Sequence, residues 1–256
     1  MMDYRRAVFV MIDVDNFYHA LEPRRLAGDL TTDLRCMVEE ECGVAVPERV
    51  AVRLYGGWMV DGVLTQTASQ VLSAVALARV FPLFCTNRAG TVIRGDIRLA
   101  NELLCLPEIS WQHTCTTRQG APRLRMNGRR KPSGCYEDPA TCFVAKVEKF
   151  TRSLGSVCPV PGCNVTNREA FQRLQQKMVD TLMVCDLLHL AAISDSENAV
   201  IVASDDWDVL PSLAAAAHGG LRTSWIRRNS TREQYYDRML VKLGVRIENW
   251  GWEREC

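Results

Sequence analysis

The sequence predicts an α/β fold with a mostly parallel central sheet and helices on both of its faces. Three observations predict it. Apolar runs at residues 7–12 and Ala199–Ala203, the second rich in β-branched residues, have the length of buried strands, and Arg49–Tyr55 reads as another strand. Longer stretches with helical spacing lie between such runs, so strands alternate with helices. Two of the strands end in acids, Asp13-Val14-Asp15-Asn16 and Ser204-Asp205-Asp206-Trp207-Asp208. Those are carboxyl ends, where open α/β sheets bind ligands.

In chain order, residues 7–12 read as a short buried strand. A helix starts over residues 17–21 and is interrupted by Pro23. Residues 31–41 resume helical spacing, with Thr32 or Asp33 as N-cap. Arg49–Tyr55 is a strand closed by Gly56-Gly57. Residues 65–77 form an amphipathic helix. Residues 83–85 and 91–99 read as two strands of a hairpin through 87–90.

Periodicity is lost from 111 to 166, where prolines, glycines and five cysteines collect. Such a long irregular segment inside a compact domain is usually functional or stapled. Within it, residues 143–152 can form one short helix. Residues 167–193 read as one long amphipathic helix, or two, with Leu174, Met178, Leu182 and Cys185 on one face. The strand Ala199–Ala203 follows, then a helix from Leu210 closed by Gly219-Gly220. Residues 221–226 are a strand, 231–243 a helix capped by Ser230 or Thr231, and 245–248 a last strand. There is no internal repeat. The reading is one domain over 1–256, carrying an inserted basic, Cys-rich segment at 111–166.

Composition narrows the function classes. The chain has 256 residues, 47% hydrophobic and 24% charged, an ordinary balance for a globular protein with a large core. Its net charge of +1 gives no global pull toward a polyanion, so any basic face is local. No apolar run reaches the roughly 18–20 residues of a membrane span. The first apolar run meets Asp13 and Asp15 too soon for a signal peptide. A cytoplasmic protein with no membrane partner is expected.

Three carboxylates in four residues, Asp205, Asp206 and Asp208, repel one another unless a cation, hydrogen bonds or open water relieves them. Asp13 lies at the end of another strand, and Asp180 in the helix that precedes residue 193. Acids converging from both strand ends and a helix make the layout of a Mg²⁺ or Mn²⁺ site, since these ions prefer hard oxygen ligands. Taken singly, Asp13 could be a turn residue and Asp206 or Asp208 an N-cap. Helix caps do not account for Asp180 together with both strand ends.

Three motifs carry a resemblance. They are Ile12-Asp13-x-x-Asn16-Phe17, Lys177-x-Val179-Asp180 with Asp186 beyond it, and Ser204-x-Asp206-x-Asp208 with Pro211 following. In this order the chain resembles the NYN family of PIN-like nucleases. It departs from the family where Asp205 stands for a glycine and Trp207 for a serine. The resemblance implies a PIN-like three-layer α/β/α fold. It also implies hydrolysis of RNA, endonucleolytically, at one or two Mg²⁺ or Mn²⁺ ions ringed by Asp13, Asp180, Asp206 and Asp208. Asn16 would orient water or a phosphate oxygen, and Ser204 would support the ring. Asp205 would add charge where a small residue lets phosphate approach, unless it points away and caps the following helix. Lys177 reads as a solvated helix charge. The alternatives are a catalytically inactive RNA- or protein-binding module on the same fold, and a phosphoesterase acting on DNA or nucleotides.

Eleven cysteines are many for a reducing compartment, where clustered thiols suggest metal before disulfides. Cys135-x6-Cys142 and Cys158-x4-Cys163 resemble halves of a structural zinc site, with His113 and Cys115 upstream. The best four ligands for one Zn²⁺ are Cys135, Cys142, Cys158 and Cys163. Cys36, Cys42, Cys85, Cys105, Cys185 and Cys256 look like ordinary core or surface cysteines. Arg118, Arg123, Arg125, Arg129, Arg130 and Lys131 form a stretch without an acid. It would either track a phosphate backbone or be a solvated loop. Arg227-Arg228 could extend it. Trp111, Tyr136 and Trp207 could stack on bases. RNA is the expected partner; a second copy of the chain or a regulatory protein is left open.

Overall fold

The computed structural model describes residues 6–18, 21–84, 91–125, 142–194, 197–228 and 234–250. Two compact units are distinguished. One comprises residues 1–114 with 176–256, the other residues 115–175.

The first unit opens with β1 (Ala7–Asp13), buried along its whole length. A single turn, α1 (Val14–Phe17), leads to the long helix α2 (Pro23–Val44). Pro23 therefore begins a helix and does not interrupt one. At the first helical position its missing N–H forfeits no hydrogen bond, and the Glu22 carboxylate caps the exposed Arg24 and Arg25 N–H groups. Then come β2 (Arg49–Tyr55), the short hairpin β3 (Met59–Val60) and β4 (Val63–Leu64), and α3 (Gln66–Ala78), N-capped by Thr65. Strand β5 (Leu83–Phe84) pairs antiparallel with β6 (Val92–Leu99), as expected for a hairpin, although its connection lies outside the described residues.

Beyond the second unit the chain continues through α6 (Val179–Ile193) and β9 (Ala199–Ala203). A 3₁₀ turn at Trp207–Val209 leads into α7 (Leu210–His218). Strand β10 (Arg222–Arg227), α8 (Gln234–Lys242) and β11 (Arg246–Asn249) complete the order. The second unit holds β7 (Cys115–Gln119), α4 (Phe143–Thr151), α5 (Asn167–Ala170) and all but the last residue of β8 (Gln172–Gln176). Strands β7 and β8 form their own two-stranded sheet.

The main sheet runs β11-β10-β9-β1-β2-β6-β5, parallel except at the β5 edge. Parallel strands need crossovers, and here helices supply them on both faces. Val8, Val10 and Ile12 of β1 pack with Leu30, Leu34 and Met37 of α2 and with Val71 of α3. The alternate residues, Phe9 and Met11, pack with Leu182, Met183 and Leu187 of α6 and Leu213 of α7. The period of two in a strand assigns each residue its face. After β1 the chain builds outward through β2 and β6. It then crosses back to β9 and builds outward the other way. The order therefore reverses between β1 and β9, which makes their carboxyl ends the switch point where α/β sheets bind ligands.

The helix expected over 167–193 is instead α5, β8 and α6. Leu174 and Met178, 61% and 39% exposed, do not share a buried face with Leu182. Strand pairing of β8 with β7, more than fifty residues upstream, overrides the local helical spacing. Met178 turns with φ +61°, and α6 starts after it, so Lys177 precedes the helix.

Candidate metal centre

Three elements deliver the acids. Asp13 is the last residue of β1, and Asp206 and Asp208 follow β9. Asp180 sits in the first turn of α6, where the helix dipole favours a carboxylate. The carboxylates of Asp180, Asp206 and Asp208 lie with oxygens within 4.8 Å of one another. Burial, then the charges of Asp206 and Asp208, push the Asp180 carboxyl above its ordinary range.

Asp13 is not among the acids within that reach of one another. It is 2% exposed. Its Oδ2 accepts the Asn16 side-chain N–H at 2.6 Å, and its Oδ1 accepts the Asn16 backbone N–H at 3.3 Å. The fully buried Ser204 hydroxyl donates to Oδ2 at 3.4 Å and accepts the Asp206 N–H at 3.0 Å. A chain of polar contacts therefore runs from Asn16 through Asp13 and Ser204 to the backbone of Asp206. Burial raises the Asp13 carboxyl to about 6, against the two Asn16 hydrogen bonds, with further upward pushes from Asp180 and Asp15.

The turn after β9 is fixed from several sides. Asp206 Oδ1 accepts the Asp208 N–H at 2.9 Å, so Asp206 both caps the 3₁₀ turn and faces the acidic group. The Trp225 indole N–H donates to the Ser204 carbonyl at 2.9 Å. Asp205 turns away from the other acids and accepts the Arg228 N–H at 2.7 Å. Its carboxylate therefore ties the end of β9 to the end of β10. Arg228 reaches on to the Phe17 carbonyl at 3.0 Å and to Asp33. Neither Trp225 nor Arg228 stood out in the sequence as support for the acids, because their partners lie 21 to 211 residues away.

Asp186 is not part of the acidic group. It is fully buried and accepts hydrogen bonds from the Tyr55 hydroxyl and the Leu104 N–H, both at 2.7 Å. It also pairs with Arg53 at 3.0 Å. Trp207 packs at the margin of the core, edge-on to Tyr236 at 6.0 Å, so packing accounts for it without a base. Trp111 likewise packs against the core.

Of the proposed zinc ligands, Cys135 lies outside the described residues. Cys142, Cys158 and Cys163 are half-buried. Among the described residues they do not form a group of three within ligand reach of one another. Backbone bonds hold the turn they flank, from the Cys158 N–H to the Val165 carbonyl and from the Cys163 N–H to the Val160 carbonyl. Cys36 is disulfide-bonded, not the ordinary thiol expected from the sequence. Of the basic stretch, Arg118, Arg123 and Arg125 are exposed residues of the second unit. Arg129, Arg130, Lys131 and Tyr136 lie outside the described residues. No described helix is long and apolar enough to cross a membrane.

No family model, no curated protein and no solved structure matches this chain.

Proposed function

We propose that this protein is a metal-dependent ribonuclease, NYN-like, that cleaves RNA phosphodiester bonds internally. One observation carries the reading: the Asp180, Asp206 and Asp208 carboxylates gather at the carboxyl end of a parallel sheet, where its strand order reverses. The donor set is all carboxylate oxygen, which suits Mg²⁺ or Mn²⁺ and does not suit a soft, thiolate-loving ion. Three negative charges within 4.8 Å also favour a cation electrostatically.

Asp180, Asp206 and Asp208 would hold the ion. When bound, such an ion supplies Lewis acidity that neutralises charge developing at phosphorus and makes water a competent nucleophile at neutral pH. The remaining residues position this group. Asp13 and Ser204 fix the Asp206 backbone, and the exposed Asn16 holds the Asp13 carboxyl in place. Asp205, bonded to the Arg228 N–H, is turned from the three acids. The choice of RNA rests on the resemblance of the three acid-bearing motifs to the NYN family.

The test incubates the protein with labelled RNA and single-stranded DNA in Mg²⁺, Mn²⁺ or EDTA, beside an Asp206→Asn/Asp208→Asn variant. Metal-dependent internal cleavage of RNA, lost in EDTA and in the variant, is expected. Cleavage that survives in the variant would point to a contaminant. Retained binding without cleavage would favour a non-catalytic module.

A further inference from the structure

The second unit carries a feature that the acidic group does not use. Two adjoining cavities of about 640 and 240 Å³ open on its surface and share Arg118, Gln119 and Leu154. The larger falls within the range of small-molecule sites, about 300–1,000 Å³. Five arginines line them: Arg118 from β7, Arg123 beyond it, Arg152 after α4, Arg168 from α5 and Arg173 from β8. All five are exposed, and none has an ion-pair partner among the described residues. The one acid lining the cavities among those residues, Glu169, is engaged in its own helix cap. It accepts the Thr166 N–H and hydroxyl at 2.8 Å each.

The cleft is built rigidly. Asn167, 1% exposed, accepts the Ala121 N–H at 2.7 Å and donates to the Ser153 carbonyl at 3.2 Å. Gly120 sits at φ +85°, and a Cβ there would stand 2.3 Å from Leu154 Cδ2. A larger residue at 120 would thus displace a side chain that lines both cavities. Phe171 lines the larger cavity, 45% exposed, with its ring 5.9 Å from that of Phe150. Gln119 and Gln172 add amides that can both donate and accept.

We propose that this arginine cleft binds single-stranded nucleic acid, with the arginines on successive phosphates and Phe171 under an unstacked base. Five like charges held together on a stiff frame repel one another, and a polyanion relieves that repulsion while releasing its own counterions. An exposed ring beside the cationic track is the arrangement by which proteins hold single strands without sequence readout. A duplex keeps its bases stacked and offers Phe171 nothing. The cleft goes beyond the ribonuclease reading, because it lies within residues 115–175 and its occupancy needs no cleavage.

The test uses the full chain carrying Asp206→Asn/Asp208→Asn, in EDTA, so that binding is read without turnover. Fluorescence anisotropy follows labelled single-stranded RNA and single-stranded DNA, which separates the two sources of the same chemistry. Duplex RNA, polyglutamate and anionic phospholipid vesicles serve as competitors. Arg118→Gln/Arg168→Gln should weaken single-strand binding about tenfold. It should also make the slope of log affinity against log salt shallower by about 1.4, roughly 0.7 for each lost phosphate contact. Phe171→Ala should cost roughly another tenfold. Arg118→Lys/Arg168→Lys, which keeps the charge, should restore most of the affinity and guards against a folding defect. Arg24→Gln/Arg25→Gln, on α2 in the other unit, should change nothing. Unchanged binding in the cleft variants, an equal loss in the α2 control, or stronger competition by duplex, polyglutamate or vesicles than by unlabelled single strand would overturn the proposal. Loss of the ribonuclease reading would leave this outcome untouched.

Discussion

Asp205 Oδ1 accepts the backbone N–H of Arg228 at 2.7 Å, which turns this carboxylate away from Asp206 and Asp208. From the sequence alone, Asp205 is the residue that most threatens a phosphate-binding role, since it puts charge where a small residue would let the chain approach. Its bond to β10 answers that concern. Asp205→Asn keeps an acceptor oxygen and should leave RNA cleavage within about threefold of wild type. Asp205→Ala leaves the Arg228 N–H without this partner, and urea unfolding should show a loss of about 1–3 kcal/mol. Abolished cleavage in Asp205→Asn would place the residue in the chemistry instead.

Asp13 makes stability depend on pH. Its folded value near 6 lies above the ordinary 3.8, so the fold binds the proton more tightly than the unfolded chain does. Stability from this group is therefore fully present below pH 4, falls between about pH 4 and 6, and stays lost above that. The difference corresponds to roughly 3 kcal/mol of penalty at neutral pH. Asp13→Asn removes the charge and keeps an acceptor for Asn16. In EDTA at pH 7.5 it should raise the melting temperature by about 6–12 °C, and at pH 4 it should not. A variant less stable than wild type at both pH values would contradict the burial penalty.

Asp186 separates packing from chemistry. It meets Tyr55, Arg53 and Leu104 in the buried layer between β2 and α6. Asp186→Ala takes one carboxylate from the buried Arg53 guanidinium, which keeps Glu102, and leaves the Tyr55 hydroxyl and the Leu104 N–H without this acceptor, so it should cost about 3–5 kcal/mol in chemical denaturation. Asp186→Asn should fold at reduced stability and bind Mn²⁺ as wild type does. Loss of Mn²⁺ from a folded Asp186→Asn would return this residue to the metal centre.

Met178 holds φ +61° at the start of α6, two residues before Asp180. Side chains with a Cβ avoid this conformation, and glycine adopts it freely. Met178→Gly should therefore stabilise the protein by roughly 0.5–1 kcal/mol, its side chain being 39% exposed, with little to lose in packing. A destabilised variant would mean that the Met178 side chain contributes more than its exposure indicates.

Much of the fold is legible in the sequence because buried parallel strands announce themselves locally. Residues 7–12 and Ala199–Ala203 are apolar throughout, Arg49–Tyr55 is apolar apart from Arg49 and Arg53, and each becomes a central strand. Asp206 and Asp208 are legible for the same reason, since they follow an apolar strand, whereas Asp180 reads as a residue within a long helix and in the structure lies in the first turn of α6. What local pattern does not carry is pairing over long separations. Gln172–Gln176 is helical in its spacing and becomes a strand because β7 is its partner. Asp205 has its direction set by a backbone group 23 residues later. Arg152, Arg168 and Arg173 lie apart in sequence and share cavities with Arg118 only once the second unit is folded. Pro23 shows the same ambiguity on a small scale, since proline ends a helix or begins one according to what caps it.

The central claim is that Asp180, Asp206 and Asp208 hold a divalent cation. Mn²⁺ titration followed by electron paramagnetic resonance reads this directly, in wild type and in Asp206→Asn/Asp208→Asn. One or two bound ions per wild-type chain are expected, displaced by Mg²⁺ and absent from a variant whose melting curve shows a folded protein. Mn²⁺ bound equally well by the folded variant would contradict a site made of these carboxylates.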